Sequence, residues 1–286
     1  MKIAIVGARG QLAAAVAREC AQAHEIVALS RADLDVTDDR AVADALARAQ
    51  PDAIVNGAAF TNVDAAEDRP VEALNVNAFG VRAIARAAHD RGARLVHFST
   101  DFVFDGKTAR PYVEADRPNP RSVYAATKLL GEWFALDAPR AYVLRVESLF
   151  GRAPGAGPAK GSVAGIVNVL LAGGSPKVFA DRTISPTYIA DAARAVRRIL
   201  EASPDHGVYH CVNSGSCTWL EFARELARQL GVEPRLTPVR MADTPMRAGR
   251  PHYSALSNQK LRSIGIDMLS WQDALTRYIQ AGEIHA

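Results

Sequence analysis

A tyrosine and a lysine four residues apart are the residues best suited to chemistry in this sequence. Tyr124 and Lys128 stand at the two ends of Tyr124-Ala125-Ala126-Thr127-Lys128, a stretch whose composition favours a helix. On a helix, side chains four residues apart share one face, with their Cβ atoms roughly 5–6 Å apart. A phenol ordinarily titrates near pH 10, and a neighbouring cation lowers that pKa. The spacing, which can also arise by chance, therefore predicts that Tyr124 is a general acid whose pKa is held down by Lys128.

A second polar group follows an apolar run earlier in the chain. Ser99-Thr100-Asp101 come directly after Arg94–Phe98, which reads as a strand. Open α/β sheets bind ligands at the carboxyl ends of their strands. We therefore expect Thr100 and Asp101 to lie at the same edge of the sheet as Tyr124, on a helix that Ser122 caps.

A glycine turn near the start predicts a nucleotide site. The strand Ile3–Val6 runs into Gly7-Ala8-Arg9-Gly10-Gln11-Leu12-Ala13, and an alanine-rich helix follows. Strand, glycine turn and helix form the context of a dinucleotide fingerprint, in which backbone approaches pyrophosphate at a helix N-terminus. The alternative is a βα turn without a ligand.

The end of the second predicted strand, Glu25–Leu29, bears on the choice of cofactor. An acid there would select NAD(H) through the ribose 2′-hydroxyl, whereas an arginine suits a 2′-phosphate. The sequence has Ser30 and Arg31, so we expect NADPH to be preferred. Asp33 and Asp35 are near enough in sequence to pair with Arg31 and weaken this preference, so NADH should still be accepted. The candidate cofactor contacts in this segment are Ser30, Arg31, Asp35 and Val36.

The order of the elements predicts the fold class. A helix over about 38–49, capped by Thr37, leads to a third strand Ala53–Asn56, which gives a βαβαβ pattern. This pattern requires a parallel sheet with helices on both faces. We expect an α/β, Rossmann-type doubly wound sheet over 1–150 and a smaller, substrate-binding lobe over 151–286, with 178–210 returning to the first domain. Residues 153–161 should form a loop over the site.

Composition and charge exclude several classes of protein. Of the 286 residues, 49% are hydrophobic, and 34 Lys and Arg balance 31 Asp and Glu to a net charge of +3. No basic stripe argues for a nucleic-acid partner, and no apolar run approaches the 18 residues of a membrane span. Met1 and Lys2 lead directly into a strand, so we expect no signal peptide and a cytoplasmic location. The three cysteines should be reduced.

Taken together, these motifs resemble the extended short-chain dehydrogenase/reductase superfamily, and within it the dTDP-4-dehydrorhamnose reductase family. The resemblance covers nearly the whole chain. It rests on seven motifs in the same order: the Gly7/Gly10 loop, Ala58-Ala59-Phe60-Thr61-Asn62-Val63-Asp64, Asn75-Val76-Asn77, His97-Phe98-Ser99-Thr100-Asp101-Phe102-Val103-Phe104-Asp105-Gly106, Tyr124 with Lys128, Ser185-Pro186-Thr187, and Arg250-Pro251-His252-Tyr253-Ser254.

The resemblance implies an activity and a role for each matched residue. The expected reaction is NAD(P)H-dependent reduction of the 4-keto group of a nucleotide-linked deoxysugar, as in dTDP-L-rhamnose biosynthesis. Tyr124, Lys128 and Thr100 would be catalytic, with Tyr124 protonating the new alkoxide and Lys128 on the nicotinamide ribose. The further implied contacts to the cofactor are Gly7, Gly10, Gln11, Leu12, Ala58, Ala59, Phe60 and Thr61, and those to the substrate are Thr100, Asp101, Ser148 and Arg250.

Three departures from the family pattern affect what can be carried over. Ser148 stands where the family usually has a Trp that contacts the deoxysugar, so the sugar could differ. Ala14 and Ala15 replace the acid with which some members build a metal-bridged dimer, so we predict no metal and leave a homodimer open. Ala13 replaces the third glycine of the loop, with little effect expected. Two alternatives remain: another sugar-nucleotide reductase or epimerase, and a non-catalytic NADP-binding regulatory subunit like that of methionine adenosyltransferase.

Overall fold

The computed structural model describes residues 1–153 and 161–284. The loop predicted over 153–161 therefore falls almost entirely outside the described residues. Within the described part of the chain, no helix is both long enough and apolar enough to cross a membrane.

A six-stranded parallel sheet forms the centre of the molecule. Its strands, numbered along the chain with those of the second lobe, are β1 (Lys2–Val6), β2 (Glu25–Leu29), β3 (Ala53–Asn56), β4 (Arg94–Thr100), β5 (Ala141–Val146) and β10 (Gly207–His210). Their spatial order is β10-β5-β4-β3-β1-β2, and every neighbouring pair is parallel. The predicted α/β class with a doubly wound parallel sheet is confirmed. The last strand, β10, belongs to the segment predicted to return to the first domain.

Helices cover both faces of this sheet. They are α1 (Gln11–Cys20), α2 (Asp39–Ala49), α3 (Val63–Asp68), α4 (Pro70–Leu74), α5 (Gly80–Arg91), α6 (Val123–Leu136) and α8 (Ile189–Ala202). Along β1, Ile3 and Ile5 belong to the core shared with α1 and α8, and Ala4 and Val6 belong to the core shared with α2 and α5. Successive side chains of a strand point to opposite faces, so a strand buried on both sides reads as a continuous apolar run.

The sheet has a switch point between β1 and β3. From β1 the chain crosses to β2 on one side and then returns past β1 to β3 on the other. Such a reversal separates the two adjacent connections and opens a crevice at the carboxyl ends of the two strands. The segments that leave this edge begin with Gly7 and Gly57.

The second lobe packs on the α1/α8 side of the sheet. Its elements are β6 (Leu149–Phe150), β7 (Lys177–Phe179), β8 (Thr183–Ile184), β9 (Thr187–Tyr188), β11 (Cys217–Thr218), β12 (Thr237–Val239), α7 (Ser162–Leu171), α9 (Trp219–Leu230), α10 (Gln259–Ser263) and α11 (Trp271–Gln280). The short strands form two-stranded pairs. Phe222 of α9 and Trp271 of α11 continue the apolar core that begins with Ile3 and Ile5.

One local prediction needs correction. The cap of α2 is Asp38 rather than Thr37, because the Asp38 carboxylate accepts from the backbone N–H groups of Arg40 and Ala41, both at 2.9 Å, while the Thr37 hydroxyl donates to Asp35. A π-helical turn at Asn75–Phe79 joins α4 to α5.

Candidate active site

The glycine turn after β1 brings backbone from two strands together. Gly7 has φ +72°, and a Cβ at this position would lie 2.7 Å from the backbone nitrogen of Ala58, so only glycine fits. Gly10 then precedes α1, whose first turn has no acidic residue and whose N-terminus has no side-chain cap. The buried Nε2 of Gln11 also has no hydrogen-bond partner among the described residues. These unpaired donors at a helix N-terminus suit a pyrophosphate.

A cavity of about 310 Å³ occupies the switch-point crevice. It is lined by Gly7, Arg9, Gly10, Arg31, Ala32, Leu34, Asp35, Val36, Gly57, Ala58, Ala59, Phe60 and Val76. The structure thus brings most of the predicted cofactor contacts together around one space. Ser30 is buried beside it, and Thr61 is exposed. Arg9 and Val76 were not predicted, although Arg9 lies inside the recognised glycine loop.

Asp33 and Asp35 are held by neighbouring residues and form no ion pair with Arg31. Asp33 accepts from the backbone nitrogen of Ser30 at 2.9 Å and from its hydroxyl at 2.6 Å. Asp35 likewise accepts from the backbone N–H and hydroxyl of Thr37 at 3.0 and 2.8 Å. These hydrogen bonds lower the pKa values of both carboxyls. Within residues 1–153 and 161–284, Arg31 forms no ion pair, but its charge also lowers the pKa of Asp35, so the carboxylate is near enough to weaken the attraction of Arg31 for a ligand.

The predicted catalytic pair lies on α6. Ser122 caps the helix by accepting from the backbone N–H of Ala125 at 3.2 Å, as predicted. The buried ammonium of Lys128 donates to the backbone oxygen of Phe98 at 2.6 Å. Burial lowers the pKa of Lys128 to about 8, although Glu132 opposes the shift. Lys128 is thereby fixed between α6 and the end of β4.

The environment of Tyr124 contradicts the expected lowering of its pKa. Burial and the charge of Asp101 raise the pKa of this phenol, and a hydrogen bond from Thr100 only partly opposes them. Lys128 does not contribute to the pKa of the phenol, and its ammonium instead donates to the Phe98 carbonyl. Phe102 packs edge-on against the Tyr124 ring, with 5.8 Å between the ring centroids. The phenol therefore stays protonated at neutral pH, which is the form that a proton donor needs.

Asn77 connects the cofactor loop to the catalytic helix. Its Oδ1 accepts from the backbone N–H of Phe60 at 2.8 Å, and its Nδ2 donates to the Phe60 oxygen and to Thr127 Oγ1, both at 3.1 Å. Asn77 lies in the π-helical turn, a feature that often marks functional sites. The resemblance included Asn75-Val76-Asn77 but gave this residue no role.

A buried charge cluster lies behind Thr100. It consists of Asp101, Glu147 and Arg182, of which only Asp101 was predicted. Asp101 follows β4, Glu147 follows β5, and Arg182 precedes β8, so the cluster joins the sheet edge to the second lobe. The Arg182 guanidinium lies over the Phe102 ring, 5.3 Å from its centroid. No spacing in the sequence indicates this cluster, because its members are separated by 35 residues or more.

Arg250 and Arg247 are each paired with a carboxylate of α3. Arg250 donates to both oxygens of Asp64 at 2.9 and 2.7 Å, and Arg247 pairs with Asp68 at 3.0 Å. These pairs join the segment before Pro251 to α3. Arg250 also lines a second cavity of about 500 Å³, together with Arg182, Phe179 and Trp219. The Asp64 carboxylate thus orients the guanidinium at a cavity wall.

Ser148 has an unusual backbone conformation. Its φ is +41°, in the left-handed region that few residues other than glycine adopt readily. Its carbonyl oxygen accepts from the backbone N–H of Thr187 at 3.3 Å, which holds the start of β9. The residue is half-buried and directly follows Glu147 of the charge cluster.

Comparison with known proteins finds a matching family model, similar proteins and a similar solved structure. The family model described as the RmlD substrate binding domain matches residues 1–284. The dTDP-4-dehydrorhamnose reductase of Mycobacterium tuberculosis is 36% identical over 288 residues, which cover 98% of this chain and 93% of that protein. A probable dTDP-4,6-dihydroxy-2-methyloxan-3-one 4-ketoreductase of Streptomyces antibioticus is 37% identical over 280 residues, 96% of this chain and 93% of that protein. The structure of a dTDP-4-dehydrorhamnose reductase from Bacillus anthracis in complex with NADP superposes with a TM-score of 0.91 at 31% identity, covering 98% of this chain and 99% of that one.

Proposed function

Because this chain belongs to the RmlD substrate binding domain family, we propose that it is an NADPH-dependent reductase of the 4-keto group of a nucleotide-linked deoxysugar. One observation carries the proposal. The protonated phenol of Tyr124 lies with the hydroxyl of Thr100 at the carboxyl end of β4, and Asn77 links the helix of Tyr124 to Phe60 in the wall of the glycine-turn crevice. A proton donor next to a dinucleotide crevice is what reduction of a ketone requires.

The residues of the crevice fit a nicotinamide dinucleotide. Gly7 leaves no room for a side chain at the turn, and the free N–H groups of α1 and the unpaired Gln11 amide would bind the pyrophosphate. When bound, this cofactor supplies the hydride. Asn77 holds the loop at Phe60 against α6, so the cofactor side and the catalytic side of the site keep one geometry.

Side chains of the protein then supply the proton. Tyr124 donates its proton to the oxygen that becomes an alkoxide, and Thr100 orients the phenol. Lys128 would bind the nicotinamide ribose, as the resemblance implies, since its Nζ has hydrogens left after one bond to Phe98.

The preference for NADPH follows from two arginines at the cavity wall. Arg31 and Arg9 both line the cavity, and Asp35 and Asp33 act on them electrostatically without forming ion pairs. Two guanidinium groups suit a 2′-phosphate. Acceptance of NADH stays a prediction. It is supported by the electrostatic interaction of Asp35 with Arg31, which weakens the selection for a 2′-phosphate, and by the pyrophosphate and nicotinamide contacts that both cofactors share.

The second cavity supports the substrate class. Arg182 and Arg250 provide two cations, and Phe179 and Trp219 provide aromatic surface. Such a wall suits the diphosphate and base of a sugar nucleotide. Ser148 stands where the resemblance implies an aromatic side chain that could bury about 150–250 Å², so we expect a looser fit to a 6-deoxy sugar or room for a bulkier one.

The test is a panel of nucleotide-linked 4-keto sugars incubated with NADPH, with loss of absorbance at the nicotinamide band as the readout. We expect turnover of at least one 4-keto sugar and none of the corresponding 4-hydroxy sugars. NADPH binding without turnover on the whole panel would instead support the regulatory-subunit alternative. A preference of more than about a hundredfold for dTDP-4-dehydrorhamnose, roughly 2.7 kcal/mol, would contradict the role of Ser148.

Location and assembly complete the proposal. We expect a cytoplasmic enzyme, where NADPH is available, and a homodimer. Trp133 and Leu136, which are 61% and 41% exposed on α6, are apolar residues that a second copy could cover. Light scattering of the purified chain at several concentrations measures the mass, and a monomer at all of them would contradict the dimer.

A further inference from the structure

Helix α3 lies between the cofactor crevice, the catalytic helix and the second cavity. It begins shortly after Phe60 of the crevice wall, packs against α6, and carries three carboxylates, Asp64, Glu67 and Asp68. Side chains three or four residues apart on a helix are neighbours on its surface. Two of these carboxylates bind the segment 247–250, and the third binds the start of α6.

Asp64 holds the part of this segment that supplies Arg250. Its carboxylate accepts two hydrogen bonds from the Arg250 guanidinium, at 2.9 and 2.7 Å, and a third from the backbone N–H of Ala248 at 3.0 Å. Arg250 also donates to the Ala248 oxygen at 3.3 Å, and its side chain is 16% exposed. The guanidinium is therefore fixed in one orientation.

The second cavity has an unpaired donor beside Arg250. Arg182 lines the same cavity and is buried, and its Nε has no hydrogen-bond partner among the described residues. Asp64 itself does not line the cavity. A guanidinium whose orientation is already fixed loses less side-chain freedom when it binds a phosphate group. Asp64 can therefore strengthen the binding of a diphosphate that it does not touch.

Glu67 holds the start of the catalytic helix. Its carboxylate accepts from the backbone N–H of Val123 at 2.8 Å. Val123 is the first residue of α6, and Tyr124 is the second. The first N–H groups of a helix have no partner within the helix, so an outside acceptor fixes the position of the first turn. Together with the Ser122 cap, Glu67 fixes the turn that carries the phenol.

We propose that α3 positions both parts of the active site and that two of its carboxylates have separate kinetic effects. Asp64 acts through Arg250 and sets the affinity for the sugar nucleotide. Glu67 acts through the first turn of α6 and sets the rate of proton transfer from Tyr124. The inference rests on the proposed function. Both carboxylates are positioning residues, since neither lines the crevice or the second cavity.

Asp64 also has an effect in the opposite direction. A carboxylate beside a guanidinium reduces the attraction of that cation for phosphate. The Asp64 side chain is 44% exposed, so water and salt screen its charge, whereas they do not replace the orientation that its hydrogen bonds impose. We therefore expect the loss of the Asp64 carboxylate to weaken nucleotide binding.

The first test is a calorimetric titration with dTDP, the nucleotide in the names of the relatives, and it needs no turnover. Asp64→Asn should raise the Kd for dTDP at least about tenfold in the wild-type background. In an Arg250→Ala background the same substitution should change the Kd by less than about twofold, because a residue that acts only through Arg250 has no effect in its absence. An unchanged Kd in Asp64→Asn, or an equal loss in both backgrounds, overturns the role of Asp64.

Asp68→Asn is the matched control for this titration. Asp68 lies on the same helix and pairs with Arg247 of the same segment, but the two side chains are 61% and 63% exposed and neither lines the cavity. The Kd for dTDP should therefore stay unchanged in Asp68→Asn. An equal loss in Asp68→Asn and Asp64→Asn would assign the effect to the segment as a whole and overturn the inference. A wild type that does not bind dTDP overturns it together with the substrate class.

Two variants of Glu67 separate the contact from the charge. Glu67→Gln keeps an oxygen that can accept from the Val123 N–H, whereas Glu67→Asp keeps the charge on a side chain one methylene too short to reach it. At saturating NADPH and 4-keto sugar, we expect kcat to fall at least about tenfold in Glu67→Asp and to stay within about threefold of wild type in Glu67→Gln. Equal losses in the two variants, or full activity in Glu67→Asp, overturn the role of Glu67.

The two carboxylates should give opposite kinetic patterns. Asp64→Asn should raise the KM for the sugar nucleotide at least about tenfold with kcat within about twofold, and Glu67→Asp should lower kcat with that KM within about twofold. Circular dichroism checks that each variant folds. Loss of both parameters in both variants would indicate a general structural role and overturn the inference. Lack of turnover by the wild type would overturn the proposed function and the role of Glu67, whereas the dTDP titration still decides the role of Asp64.

Discussion

At the scale of single residues, three neighbours govern the proton of Tyr124. Thr100 hydrogen-bonds the phenol, Asp101 opposes its ionisation, and Lys128 lies one helical turn away but donates to the Phe98 carbonyl. Thr100 alone stabilises a developing phenolate, and burial with Asp101 works against it. The site thus keeps Tyr124 protonated until a stronger base, the product alkoxide, appears beside it.

Removal of the phenol hydroxyl tests this directly. Tyr124→Phe should lower kcat by at least about 10²-fold, because a positioned acid typically contributes 10²–10⁴-fold, while the Kd for NADPH stays nearly unchanged. Steady-state kinetics and cofactor titration measure the two effects. Tyr112→Phe, which removes a hydroxyl that donates to Asp105 outside the site, is the matched control. A Tyr124→Phe enzyme with most of its activity would exclude the phenol as the donor.

A second residue-scale prediction concerns the cofactor. A charge-assisted hydrogen bond contributes about 1.5–3 kcal/mol, which corresponds to roughly 10–150-fold in affinity. Arg31→Ala should therefore reduce the ratio of kcat/KM for NADPH over NADH by at least about tenfold, and Arg9→Ala should reduce it in the same direction. Arg40→Ala, which removes a side chain that is 91% exposed on α2, should leave the ratio unchanged. A wild type that favours NADH would eliminate Arg31 as the selector.

At the scale of elements, the sequence predicts helix caps and buried strands better than it predicts contacts between distant segments. The Ser122 cap was predicted because the N–H that it accepts from, that of Ala125, is only three residues away, and the Thr218–Glu221 capping box forms over the same short distance. The apolar run of β1 likewise identifies a strand buried on both faces. The sequence could not show that Arg250 meets Asp64 or that Glu147 meets Ser254, because these pairs form only when distant segments fold together. Choosing Thr37 over Asp38 failed because adjacent residues can serve equally well as caps.

The contact between α6 and the π-helical turn makes a prediction at this scale. A Cβ on Gly131 would clash with the backbone oxygen of Asn77, so the helix can approach the turn only with glycine here. Gly131→Ala should lower the free energy of unfolding by about 1–3 kcal/mol, despite the better helix propensity of alanine. Gly165→Ala on α7, where a Cβ would meet nothing within 4 Å, should instead raise it by about 0.4–1 kcal/mol. Urea denaturation of both variants measures the contrast, and equal effects would contradict the close approach.

At the scale of the whole molecule, polar contacts join the second lobe to the catalytic edge of the sheet. Glu147 at the end of β5 accepts hydrogen bonds from Ser185 and Ser254, and Asp64 of α3 binds Arg250. The site therefore lies where the two parts of the molecule meet, and buried charge is part of that junction. Buried carboxylates cost stability when they ionise, so the junction should make the whole fold sensitive to pH.

The sign of this sensitivity follows from the raised pKa values. The folded state holds the protons of Asp101 and Glu147 more tightly than the unfolded chain does, so their contribution to stability is fully present at low pH and is lost as pH rises through the folded pKa values. The carboxyls with lowered pKa values, such as Asp64 and Asp116, act in the opposite direction and only in more acidic solution. Between about pH 5 and pH 8 the buried His97 and His210, whose pKa values are lowered, act in the opposite direction, so the contribution of the carboxyl pair is measured as a difference between a variant and the wild type.

Replacement of one member by its neutral isostere should relieve this cost. Each unit of pKa shift corresponds to about 1.4 kcal/mol, so the difference in unfolding free energy between Glu147→Gln and wild type should become more favourable to the variant by at least about 1 kcal/mol from pH 5 to pH 8. Urea denaturation at both pH values measures it. Glu225→Gln, at a surface pair with Arg228, lacks a raised pKa and should show no such change over this interval. If Glu147→Gln differed from wild type equally at pH 5 and pH 8, the two carboxylates would have to be fully ionised in the folded protein throughout, and Arg182 alone would have to balance them.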